Sequence, residues 1–345
     1  MIFSRAVALA GAGALSVLLS FPVQADVFKI ATVAPEGSEW MDELRAAAAD
    51  IKDQTEGRVE FKFYGGGVMG TDKKVLRKIR IGQLQGAAFT TSGLADRYFD
   101  IMVYGLPFLF RSQAEVDYVR ERMDDRLLAG LEEAGLVSFG FAGGGFANFM
   151  SNTPITSHEM LRTKNIWVPE GDVISFSALE SMNLSPVVLP LADVMTGLQT
   201  GLLDIIVTPP VGALLLQWYT KVGYINPVPI AYTMGTLAVD KRAFDRLSDA
   251  DQVAVRDIMG ATYARLDVIN RSDNVEAQDA LLANGLEIVE SSPADVPYWR
   301  SVALETNQRL WQEGAVDPGL YADVLALLEE FRSSNAVAAT AENEG

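Results

Sequence analysis

The sequence predicts an α/β fold in two domains with a ligand cleft between them, braced by one long helix. Three observations carry this. Short alternating strands separated by helical patterns occur in two successive groups, an order that builds parallel β-α-β units with helices on both faces of a sheet. About 320 residues follow an apolar leader, more than a single growing core accommodates. A breaker-poor stretch from Ser248 to Asn284 then exceeds the usual helix length and is read as one or two helices that reach both domains.

Taken in order, Val27 to Val33 alternates in polarity as a half-buried strand does. Pro35-Glu36-Gly37-Ser38 starts a helix with apolar positions at Trp40, Met41, Leu44 and Ala48. A second alternating strand, Val59 to Tyr64, stops at Gly65-Gly66-Gly67. Asp72 to Ile81 reads as helical, and Gly86 to Ser92 as a third, largely buried strand. Ligands of such sheets lie beyond the C-terminal strand ends, so Thr32 to Ser38, Gly66 to Thr71 and Phe89 to Ser92 are the expected cleft loops. The second unit, about Ala147 to Tyr232, has strands at Asn165 to Pro169, Ser185 to Leu189 and Ile205 to Val207, with helices starting near Gly171 and Leu191. Thr236 to Val239 returns as a strand before the long helix. The expected division is 1–25 as a leader, 26–146 plus 233–255 as domain I, 147–232 plus part of 256–332 as domain II with bracing helices, and 333–345 as a disordered tail.

Composition narrows the function. Met1 to Ala25 has an early Arg5, an apolar core from Ala6 to Leu19, Pro22 and small residues before Asp26, the pattern of a cleaved secretory signal peptide. Its apolar core is too short to span a bilayer, so the mature chain is expected free in the periplasm with no membrane insertion. The chain has no Cys, hence no disulfide and no lipidated cysteine. Its formal charge of −17 becomes one unit more negative once Arg5 leaves, a balance that repels nucleic acid. His158 is the single histidine, in the polar run Thr156-Ser157-His158-Glu159, where a solvated helix start is its expected role. Without Cys or a second His, thiol nucleophiles and the usual zinc ligand sets are excluded, and no carboxylate spacing marks an acid/base pair. Neither Gly65-Gly66-Gly67 nor Gly143-Gly144-Gly145 is followed by Lys-Ser or Lys-Thr, so neither is a P-loop. No enzyme, cofactor or metal is expected.

Five segments, in this order after a leader, carry a resemblance across nearly the whole mature chain. They are Ile30 to Trp40, Gly57 to Gly70, Leu76 to Leu84, Leu106-Pro107-Phe108-Leu109-Phe110, and Asp193 to Asp204 with its core Gly197-Leu198-Gln199-Thr200-Gly201. Together they resemble the solute-binding proteins of tripartite ATP-independent periplasmic (TRAP) transporters, the DctP family. The resemblance implies a two-domain periplasmic binding protein of the Venus-flytrap kind. Such a protein closes on a small-molecule ligand and delivers it to a permease of one small and one large membrane subunit. A carrier of amphipathic molecules unconnected to a permease is the competing role.

The resemblance breaks at the ligand. Family members that hold carboxylates use an arginine in the Lys-Ile-Arg-Val-Pro strand, because its planar fork matches a carboxylate. Here that position is Trp167, within Lys164 to Pro169. A second cationic position is Ala147, after Gly145-Phe146. An asparagine before proline is Thr208, and an aromatic position is Leu191. All four changes run toward small or apolar groups. The expected ligand is therefore a neutral or largely apolar organic molecule. Its expected contacts are Trp167, Ala147, Phe146, Phe149, Leu191, Thr208, Trp218, Tyr219, Phe89 and Trp40. The competing expectation is an organic acid held by a relocated cation from Arg97, Lys78 or Lys221.

Overall fold

The computed structural model describes residues 25–313 and 317–343. The leader expected at 1–25 lies almost wholly outside the described residues. Strands β1 (Asp26–Ala31), β2 (Val59–Tyr64) and β3 (Gly86–Thr90) form the parallel edge of the first lobe in the order β2-β1-β3. Phe28 and Ile30 of β1 point into its core, with Lys29 outward between them, as the alternation requires. Helix Glu39–Gln54 buries Met41, Leu44, Ala47 and Ile51 on one stripe and is capped by the Ser38 hydroxyl, which accepts from Met41 N–H.

Two strands longer than their neighbours then join the lobes. After β4 (Leu136–Ser138) comes β5 (Ala142–Ser151), and after β6 (Asn165–Pro169), β7 (Ser185–Leu189), β8 (Ile205–Thr208) and β9 (Tyr224–Ile225) comes β10 (Ala231–Asp240). β10 runs antiparallel to β3, β4 and β5, and β5 continues antiparallel to β8. β8, β6 and β7 are the parallel sheet of the second lobe, extended by β9 and by β11 (Glu287–Ile288). One hydrogen-bonded path thus links both sheets, while the side chains segregate into separate apolar clusters. Phe28, Leu44 and Val239 belong to the first lobe, and Trp167, Ile206 and Trp218 to the second.

The stretch read as one or two helices is a single helix, Asp249–Ala283. At 1.5 Å per residue it spans about 50 Å. Val255, Met259, Tyr263 and Leu266 pack in a first-lobe cluster, and Leu281 packs in a second-lobe one. Ser248 caps it, accepting from Asp251 N–H at 3.2 Å. Helix Asp295–Gln312 also spans the lobes, with Trp299 and Ala303 in one cluster and Trp311 in another.

Three segments depart from the sequence reading. The sequence reading assigns no element to helix Gln113–Glu133, although Val116, Val119, Met123, Leu127 and Leu131 form a buried stripe. β5 was also missed, because consecutive glycines disfavour a strand. Here the long helix supplies the missing side-chain contacts: Asn270 and Asn274 each donate to a carbonyl, of Gly143 and Gly144, at 2.8 Å. Gly143 N–H donates to Asp267 at 2.7 Å, and a Cβ at Gly143 would lie 1.9 Å from the Tyr232 hydroxyl. Arg120 locks the same crossing, reaching Asp267 at 2.7 Å and the Phe141 carbonyl at 3.0 Å. Finally, where a disordered tail is expected from 333, helix Pro318–Asn343 runs on. Its last turns are alanine-rich, and alanine is the strongest helix former.

Candidate ligand-binding cavity

A cavity of about 320 Å³ lies between the lobes, where the C-terminal ends of β3, β6 and β8 converge. β3 contributes Thr90, with Thr91 and Ser92 just beyond it. β6 contributes Trp167 to Pro169, and β8 contributes Val207 and Thr208. Of the three loops expected to line it, only the one after β3 does so. Thr32 to Ser38 and Gly66 to Thr71 stay outside the wall.

The expected contacts divide. Trp167, Ala147, Phe149, Leu191, Thr208 and Trp40 reach the wall. Phe146, Phe89, Trp218 and Tyr219 are not part of it. Phe146 turns edge-on to Tyr232, with ring centres 5.2 Å apart, and Phe89 is buried in the first-lobe core. Trp218 is buried behind Trp167, and Tyr219 packs against the same second-lobe cluster. Trp167 itself is held rather than free. Its indole N–H donates to the Leu189 carbonyl at 2.9 Å, and its ring meets Trp218 edge-to-face at 5.3 Å. Only 4% of it is exposed, so it offers the cavity an edge of the core more than an open platform. Trp40 is anchored from the other lobe through its N–H, which donates to Asn270 at 2.8 Å.

Several wall residues gave no sequence signal. Trp299 stands far along the chain from the two β-α-β groups, and only the packing of helix Asp295–Gln312 brings it to the cavity, edge-on to Phe149. Its N–H donates to His158 Nδ1 at 3.1 Å, which puts the ring proton of the neutral histidine on Nε2. The histidine ring also meets Tyr298 edge-on. His158 does open a helix, His158–Leu161, as expected, but it is half-buried rather than solvated and supports a cavity tryptophan. Phe108, Leu179 and Met182, none of them among the expected ligand contacts, complete an apolar wall.

Among the described residues, no Arg, Lys or His lines the cavity. Arg97 donates to the Ala134 carbonyl at 2.6 Å, Lys78 to the Met69 carbonyl at 2.8 Å, and Lys221 is exposed. The charged groups in the wall are all acidic: Asp72, Glu170 and Asp172. Asp172 caps helix Val173–Ser181, accepting from Ser175 N–H at 2.9 Å. Burial pushes its carboxyl up against that hydrogen bond. At the mouth the lobes touch. Lys73 Nζ of the first meets Glu170 Oε1 of the second at 3.1 Å, and Gly171 lies against the Ser92 carbonyl.

Burial, with the charge of Glu170 second, pushes the Asp72 carboxyl up to about 6. Since the folded value lies above the ordinary 3.8, the folded protein loses stability as pH rises from about 4 to about 6 and carries the full penalty above. At 1.36 kcal/mol per unit this is on the order of 2–3 kcal/mol. Asp72→Asn is therefore expected to stabilise the ligand-free protein by about 1–2 kcal/mol in urea unfolding near pH 7.5. The gain should vanish near pH 4. An equal gain at both would show that charge is not its origin.

Comparison with known proteins now bears on this geometry. Residues 30–314 match the family described as "Bacterial extracellular solute-binding protein, family 7", DctP. The chain belongs to this family. It is a solute-binding protein, not an enzyme, as the sequence led one to expect. It is 24% identical over 310 residues, 86% of this chain and 90% of the relative, to the C4-dicarboxylate-binding periplasmic protein DctP of Rhodobacter capsulatus. Among solved structures, a TRAP periplasmic solute-binding protein from Xanthobacter autotrophicus with bound β-D-galacturonate is similar at a TM-score of 0.79 and 22% identity, covering 88% of this chain and 99% of that one. One from Ralstonia eutropha with bound (S)-2-acetolactate has a TM-score of 0.80 at 18% identity, covering 89% and 100%. The two-lobed α/β fold is thus shared, and these three proteins are named for acidic ligands. In the described part of this chain, no helix is long and apolar enough to cross a membrane.

Proposed function

We propose that this protein is the periplasmic receptor of a TRAP-type transporter and captures a neutral or largely apolar organic molecule. Closing of the lobes would enclose that molecule and present it to the small and large membrane subunits of the permease. The observation that carries the ligand class is the absence of any Arg, Lys or His from the cavity wall among the described residues, with acidic groups there instead. A carboxylate entering this space would be desolvated without a cation and would face like charge, at a cost of several kcal/mol. The ligands named for the relatives above are acids, and in this respect the reading sets the chain apart from them.

A thermal-shift panel tests it. Succinate, D-galacturonate and 2-acetolactate should leave the melting temperature unchanged, whereas small neutral aromatic and aliphatic compounds should raise it. A ligand at about a hundred times its dissociation constant adds ~2.7 kcal/mol to the unfolding free energy. Stabilisation by the acids alone would overturn the neutral-ligand reading while leaving the receptor role intact. Compaction on ligand saturation, read by small-angle scattering, tests closure itself.

A further inference from the structure

The cavity wall carries charge of one sign, and its three carboxylates are differently engaged. Glu170 is paired with Lys73, whose side chain is 59% exposed at the mouth. Asp172 is occupied with the start of helix Val173–Ser181. Asp72 opens helix Asp72–Arg80 and has neither a hydrogen-bond donor nor a paired cation among the described residues. Its Oδ2 stands over Gly93, 2.5 Å from where a Cβ would be, so the missing side chain leaves it room. Around it are Thr90, Thr91 and Ser92, which share the cavity wall.

A mostly buried carboxylate without a counter-charge is a standing cost to the folded protein. It is opposed in this cavity by apolar surface from Trp299, Phe108, Met102 and Leu179 and, among the described residues, by no cation. A carboxylate accepts hydrogen bonds only, and an ammonium donates three, so one ammonium could satisfy Asp72 together with the neighbouring hydroxyls. The volume, about 320 Å³, lies at the small end of ligand pockets and suits an occupant of about one ring or a short chain.

We propose that the occupant of this cavity is a small organic amine, an apolar body with a single ammonium head seated on Asp72. The inference rests on the reading of this cavity as the receptor's ligand site and refines "largely apolar" to an apolar body whose only charge is positive. It reverses the charge of the ligands named for the relatives reported above.

The experiment is isothermal titration of the mature chain near pH 7.5 with phenethylamine, 2-phenylethanol and 3-phenylpropionate, compounds of similar body and different head. Hexylamine and hexan-1-ol serve as an aliphatic pair. The amine of at least one pair should bind about tenfold or more tighter than its alcohol, the gain expected of a charge-assisted hydrogen bond. In Asp72→Asn that advantage should disappear. The wild-type comparison stands even where the variant does not fold. Equal binding of amine and alcohol, an amine preference that survives Asp72→Asn, or no detectable binding of either amine would each overturn the proposal. Of these, equal binding leaves the neutral-ligand reading in place. Tightest binding of the carboxylate would overturn both.

Discussion

Trp167→Ala should lower the unfolding free energy by about 3–5 kcal/mol, the usual cost of emptying a buried aromatic site. The side chain is 4% exposed, and its ring supports Trp218, itself buried, in an edge-to-face contact. Loss of that contact contributes about 0.5–1.5 kcal/mol of specific aromatic interaction within the total. Trp167→Phe keeps most of the volume but removes the N–H that the Leu189 carbonyl accepts, so it should fall between wild type and alanine. Urea unfolding followed by fluorescence gives the ranking. A loss below about 1 kcal/mol for alanine would mean that the indole is not part of the second-lobe core. Ligand affinity should fall too, as a consequence of a displaced cavity wall rather than of a lost direct platform.

The second large effect is expected at the mouth of the cleft. Gly171 has a φ of +93°, and a Cβ built there would lie 2.5 Å from the Ser92 carbonyl oxygen of the facing lobe. Gly171→Ala therefore carries two separable costs. Backbone strain, about 1–3 kcal/mol, acts whenever the lobe is folded. The collision with Ser92 acts only when the lobes meet, and overpacking of this kind costs about 1–3 kcal/mol more. Ligand affinity should accordingly drop by about tenfold to a hundredfold. Ligand-induced compaction in small-angle scattering should shrink in parallel. Were affinity and compaction both to match wild type, the contact between Gly171 and Ser92 would not belong to the ligand-bound state.

Much of this protein was legible before its structure. The alternation in Val59 to Tyr64 and the strand-helix order of the first hundred residues identify parallel units, because period and order are local properties of the chain. Ser248 before an unbroken run marks the long helix. Trp167 and Ala147, which the resemblance places at the ligand, both reach the cavity wall. Side-chain direction and reach were less accessible. Phe89 and Phe146 were expected at the ligand, yet one is buried in the first-lobe core and the other lies against Tyr232.

What the sequence determined by itself is the α/β class and the family. These depend on neighbouring residues and on chemical identity. Tertiary structure alone decided that Gly143-Gly144-Gly145 is strand, because the partners that make it one, Asp267, Asn270 and Asn274, come from a helix more than a hundred residues away. It likewise brought Trp299 to the cavity with His158 behind it, and left Asp72 in the cavity wall with no paired cation among the described residues. An aspartate at a helix start ordinarily serves the helix dipole in water. Only the tertiary packing around it removes most of that water and pushes its carboxyl up.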